Sequence, residues 1–236
     1  MRRAGVYRKV WTCGVMIMLA MPASPGQVDS AVRSKLEWFQ DQKLGVLMHW
    51  GLYCQWGVVE SWSICPEDED WTKRRGPYAD DYGEYRKAYE DLKTTFNPVS
   101  FRPEDWAAAA REAGMRYLVF TTKHHDGFCM FDTRGTDYKV TDSNCPFSRN
   151  PRANITKEIF DAFRAAGLGI GAYFSKPDWH CPYYWWPYFP PFDRNVNYDI
   201  QRYPERWEAY KTFTYSQIQE LMTGYGPVDI LWLDGG

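Results

Sequence analysis

The chain has 236 residues, enough for one domain with a substantial core, and sets 28 basic against 30 acidic side chains for a net charge of −2. No basic stripe runs through it, which argues against a nucleic-acid partner. Aromatic residues make up 18% of the sequence; their flat faces suit the C–H faces of sugar rings, and an aromatic-rich core would give the same composition.

In chain order, residues 1–26 read as a secretory signal. Arg2, Arg3, Arg8 and Lys9 precede a short apolar run from Val10 to Met21, and small residues follow at Ala23, Ser24 and Gly26. The run is too short for an ordinary transmembrane helix, so the expected location is secreted or periplasmic, with no membrane span once the signal is removed. Four of the 28 basic residues lie in that segment, leaving 24 against 30 acids, a net of −6. Cys54, Cys65, Cys129, Cys145 and Cys181 remain, with no CxxC or zinc-finger spacing. They are expected to be buried, with room for one disulfide and at least one unpaired thiol.

Four apolar, β-branched or aromatic runs follow, at residues 45–50, 117–122, 169–175 and 228–233. Continuous apolar character predicts parallel strands buried on both faces. Helices are predicted over residues 103–113, 156–166 and 205–222. The first starts on Pro103 and two acids, and the three end at or near Gly114, Gly167 and Gly224. This alternation predicts an α/β fold, a (β/α)8-like TIM barrel of which about four β/α units, the first half, are present. Residues 51–100 and 176–203 read as long loops after the first and third strands, where function is expected.

Each predicted strand ends in a polar group: His49; then Lys123, His124, His125 and Asp126; then Tyr173, Ser175 and Asp178; and finally Asp234 before two glycines. In an α/β barrel these C-terminal ends converge on one pocket. Adjacent His124 and His125 would point to opposite faces of a regular strand, so both reach the pocket only through a turn or bulge. The histidines lack His-x-His or His-Glu-x-x-His spacing, which argues against a catalytic metal.

In this order His49-Trp50-Gly51, Glu60 and Trp62, the run from Lys123 to Phe128, Tyr173, and Trp232-Leu233-Asp234-Gly235 resemble the α-L-fucosidases of glycoside hydrolase family 29, from about Lys35 to the end. The resemblance implies a retaining exo-glycosidase that hydrolyses terminal α-L-fucosyl residues of glycans and needs no metal or organic cofactor. It implies Asp234 as nucleophile, His49, Glu60, Trp62, His124 and His125 as holders of the fucose hydroxyls, and Tyr173 and Trp232 as the lining of the same subsite. Here Ser61 separates Glu60 from Trp62, which many members have adjacent. Residues 27–236 then represent the N-terminal portion of a catalytic barrel, truncated after the fourth strand, with the acid/base expected beyond the C-terminus. Glu60, Asp126 and Asp178 are the carboxylates that could stand in for it. Alternatives are a same-fold glycosidase for another terminal sugar, such as galactose, or a non-catalytic sugar-binding protein.

Overall fold

A computed structural model describes residues 29–67 and 72–235. The expected signal, residues 1–26, lies outside the described residues. The chain divides into two units, residues 1–41 and 42–236. The first holds nearly all of helix α1 (Ser30–Gln42), begun by Asp29, whose carboxylate accepts from the Ala31 N–H at 3.0 Å. No feature of the sequence reading anticipated this helix.

The second unit is built on a parallel sheet in the order β1-β2-β3-β4. Its strands are β1 (Gly45–Met48), β2 (Tyr117–Lys123), β3 (Gly169–Ser175) and β4 (Ile230–Asp234). Helices α2 (Tyr82–Asp91) and α3 (Pro103–Glu112) lie between β1 and β2. Helix α4 (Ile155–Ala165) joins β2 to β3, and α5 (Pro204–Gly224) joins β3 to β4. This is the β/α alternation of a partial TIM-like barrel. Helix starts follow local chemistry: Asp81 accepts from the Glu84 N–H ahead of α2, Asn154 from the Lys157 N–H ahead of α4, and Pro103 opens α3.

Two expectations need correction. The stretch 51–100 is not one long loop, because it contains α2 and several 3-10 turns; the buried Tyr85 and Tyr89 supply an apolar face amid polar residues. Burial on both faces holds for β2 and β3 but not for the outer strands, where Leu47 is 48% and Trp232 46% exposed. Continuous apolar sequence reports the environment a strand is suited to, and an edge strand has a neighbour on one side only.

Much of the aromatic content goes into the core, including Trp179, Trp185, Phe120, Phe160 and Phe174. Gly171 lets β2 and β3 approach, since a Cβ there would lie 2.6 Å from the Leu118 carbonyl oxygen. All five cysteines in the described residues are free, and Cys54 is exposed; no disulfide forms among them. No described helix is long and apolar enough to cross a membrane.

Candidate active site

Strands β3 and β4 set one wall of the site. Tyr173 pairs with Trp232 and Ser175 with Asp234, and residues two apart share a face of a strand. The Tyr173 hydroxyl donates to Asp234 Oδ2 at 2.5 Å and accepts from Ser175 Oγ at 3.1 Å. His125 Nε2 lies 3.4 Å from the same carboxylate oxygen. These donors hold the Asp234 carboxyl well below the usual carboxylate range, His125 contributing most and Tyr173 next, against a desolvation that works the other way. Burial, then the neighbouring Asp234, pushes the Tyr173 phenol up, so it stays a donor.

The exit of β2 sets the second wall. Its pairing with β3 shifts register between Thr121 and Lys123, the irregularity that adjacent histidines required. Lys123 turns into the interior, 2.9 Å from Asp178 Oδ2 and 4.2 Å from the Phe174 ring centre. His124 and His125 then both turn to the pocket, their ring centres 4.5 Å apart. Asp126 turns away again, accepting from the Tyr89 hydroxyl at 2.7 Å and the Phe128 N–H at 3.3 Å. Gly127 follows with φ +79°, where a Cβ would collide with the Asp178 carboxylate.

The loop after β1 closes the ring. Glu60 has φ +48°, unusual for a residue with a side chain. Its Oε2 lies 3.0 Å from His124 Nε2, its Oε1 3.5 Å from His49 Nδ1, and it accepts from the Trp62 indole. Trp62 stands edge-on to His125 at 5.0 Å, with the Arg194 guanidinium 5.0 Å over its ring. Arg194 is itself paired with Glu67. The Thr121 hydroxyl donates to the Met48 carbonyl at 2.9 Å, so it accepts from His49 Nδ1 at 3.0 Å. The latter bond leaves His49 Nε2 as the bare nitrogen, able to accept from a hydroxyl.

The hydrogen bond from His124 does most to lower the Glu60 pKa. Burial lowers His49, and takes His124 down to about 4. At neutral pH the site therefore holds two carboxylates beside the uncharged His49 and His124 rings, an alternation of donors and acceptors that matches vicinal hydroxyls. Two donor sets, His49 with Glu60 and His124, and His124 with His125 and Asp234, bring metal-capable atoms within 4.8 Å of one another. These residues could hold a divalent cation, but the facing atoms are already matched as donor and acceptor.

The structure brings together His49, Glu60, Trp62, His124, His125, Tyr173 and Asp234, with Trp232 on the same strand face as Asp234. It separates the three carboxylates left open as proton donors. Asp178 is committed to Lys123 and to the backbone N–H groups of His180 and Cys181. Asp126 is buried against Tyr89, and Glu60 is held ionised, the wrong state for an acid. Sequence reasoning missed Thr121, an ordinary strand residue whose hydroxyl orients His49, and it named Ser175 as a strand-end polar group but not as the partner of Tyr173. It read Ser61 only as an interruption, although Ser61 Oγ lies 2.5 Å from His124 Nδ1.

Barrels that cleave glycosidic bonds carry such carboxylates, histidines and aromatic rings at their strand ends, and comparison with known proteins narrows that class. The sequence model described as Alpha-L-fucosidase matches residues 22–236, and the chain belongs to that family. It is 26% identical over 212 residues to human tissue alpha-L-fucosidase, covering 84% of this chain and 39% of that protein. It is 34% identical over 140 residues to alpha-L-fucosidase 1 of Arabidopsis thaliana, covering 59% and 23%. Among solved structures, alpha-L-fucosidase isoenzyme 1 from Paenibacillus thiaminolyticus superposes with a TM-score of 0.66 at 36% identity, covering 88% of this chain and 44% of that one. AlfC from Lactobacillus casei, in complex with α-L-fucose, gives 0.60 at 29%, covering 86% and 62%. The chain thus spans less than half the length of these curated relatives.

Proposed function

We propose that the protein is a retaining exo-α-L-fucosidase acting on terminal α-L-fucosyl residues of glycans, with Asp234 as nucleophile. The observation that supports this most is the Asp234 carboxylate itself. It is kept ionised between Tyr173 and His125, remains 42% exposed, and stands at the end of a barrel strand. An anion with that access can attack an anomeric carbon.

In the first step an Asp234 oxygen bonds to C1 as the C1–O bond to the leaving group breaks, and an acid delivers a proton to the departing oxygen. In the second, water attacks C1, its proton goes to the same residue acting as base, and the Asp234 carboxylate is released. The acid/base is assigned to sequence outside the described residues, since Glu60, Asp126 and Asp178 are otherwise committed. His49, Glu60, Trp62, His124 and His125 hold the sugar hydroxyls, while Tyr173 and Trp232 line the subsite. The chemistry uses no metal or organic cofactor. Residues 1–26 direct the protein to the periplasm or the exterior, where fucosylated oligosaccharides and glycoconjugates are the substrates.

A relative from Bacteroides thetaiotaomicron has been trapped as a covalent intermediate with 2-fluoro-fucosyl fluoride. The same reagent tests this reading: it should add one fluorofucosyl group to the native protein, located by mass spectrometry on Asp234. Labelling elsewhere, or of Asp234→Asn, overturns the assignment. Release of 4-nitrophenol from paired α-L-fucoside and β-D-galactoside substrates separates fucose from galactose specificity.

A further inference from the structure

Ser61 is fully buried, and its hydroxyl has a single side-chain contact of note, His124 Nδ1 at 2.5 Å. The other nitrogen of the same ring lies 3.0 Å from Glu60 Oε2. Glu60, held ionised, can only accept, so Nε2 carries hydrogen. A buried imidazole neutral at pH 7 has one N–H, which leaves Nδ1 bare. The Ser61 hydroxyl therefore donates to it. Two consecutive residues grip opposite edges of one ring, with Glu60 held in the left-handed region at φ +48°.

We propose that Ser61 is a positioning residue: by donating to Nδ1 it holds the His124 ring, whose Nε2–H tautomer the Glu60 carboxylate sets, and so fixes the acceptor face of Glu60. The one N–H of His124 then points at Glu60 Oε2, leaving Oε1, beside His49, to take a hydrogen from a sugar hydroxyl. Without the serine hydroxyl, the buried Nδ1 lone pair loses its donor and the ring is free to turn away from its bond to Glu60. Glu60 is then free to turn, and with it the groups it aligns. The residue that interrupts the Glu–Trp pair in this sequence is thus a working part of the site. Its effect on rate rests on the functional reading above; its effect on the ring does not.

The test uses 15N-histidine-labelled protein and long-range 1H–15N correlation, the four histidines being assigned by single substitution. The parent should show His124 as Nε2–H with an unprotonated Nδ1 at neutral pH. Ser61→Ala should move the His124 Nδ1 resonance downfield, as for a bare ring nitrogen that has lost its hydrogen-bond donor, and Ser61→Thr, which keeps the hydroxyl, should restore the parent position. On 4-nitrophenyl α-L-fucoside, Ser61→Ala should lose about tenfold in kcat/KM, as expected for a lost buried hydrogen bond, and Ser61→Thr should recover most of it. An Nδ1–H or doubly protonated His124 in the parent, or an unchanged Nδ1 resonance in Ser61→Ala, overturns the proposal. A parent with the stated ring pattern but no fucosidase activity overturns the functional reading and leaves the positioning role standing.

Discussion

Replacing Tyr173 by Phe keeps the ring that stacks parallel to His124 at 5.9 Å and meets His49 edge-on at 4.9 Å. It deletes one hydroxyl, the donor at 2.5 Å to Asp234 Oδ2. A hydrogen bond to a charged group contributes about 1.5–3 kcal/mol. Asp234 is 42% exposed and keeps His125, so the lower end applies, about 1.5 kcal/mol after allowance for solvent. The bond favours the anion, so its loss raises the Asp234 pKa by about one unit. On the proposed mechanism the carboxylate is fully charged in the free enzyme and neutral in the glycosyl-enzyme, with about half the charge remaining in each transition state. Deglycosylation should therefore slow about threefold, while attack on the substrate should not slow. Steady-state kinetics on 4-nitrophenyl α-L-fucoside across pH should show the acid limb of kcat/KM moving up by about one unit, with kcat and KM falling together. A stationary acid limb, or a loss confined to kcat/KM at unchanged kcat, would refute the argument that Tyr173 acts through the charge on Asp234.

Other predictions follow from neighbouring groups. Asp234→Asn should retain fucose binding in calorimetry and lose at least about 10³-fold in kcat; comparable losses in both would indicate a binding role. Lys123→Met strands the buried Asp178 carboxylate and should cost about 3–5 kcal/mol in urea unfolding; a loss below about 1 kcal/mol would show the pair to be dispensable. His124 and Asp126 give opposing pH slopes. As pH falls from 6.5 towards 4, the unfolded chain protonates His124 while the folded ring refuses, so stability is lost. Asp126, pushed up to about 7 by burial against the donors Tyr89 and Phe128 and beside Asp178 and His180, holds its proton when folded and releases it near 3.8 when unfolded, so stability is gained over the same descent. Asp126→Asn removes the second slope. Relative to the parent, its stability should fall by about 1.4 kcal/mol per pH unit between about pH 6 and 4.5; parallel melting curves would contradict the offset.

The strands and three of the helices were legible because their punctuation is local: Pro103 at a helix start, Gly114 and Gly167 just past helix ends, apolar runs between. The pocket histidines were legible because strand ends in this topology converge. Helix α2 was hidden because Tyr85 and Tyr89 are its buried residues amid polar ones. The separate fates of the four residues from Lys123 to Asp126 could not be read from periodicity, because the register shift after Thr121 breaks the alternation on which such readings depend. Ser61 and Thr121 were hidden because a hydroxyl that orients an imidazole has no sequence pattern of its own. The free cysteines show the reverse case: an odd count bounded the pairing without determining it.

The break in register at the end of β2 bears on how this site could be transplanted. Lys123 and Asp126 face the wall and His124 and His125 the cavity, so the short motif interlocks two sets of receptors. A graft of the motif onto another barrel would carry the histidines but strand a lysine and an aspartate inside a foreign core. The portable unit must include Asp178 and Gln217 to receive the lysine and Tyr89 to receive the aspartate, contributions from three distant stretches of chain. A designer who wanted only the pocket would do better to replace Lys123 and Asp126 with apolar residues and preserve the bulge itself.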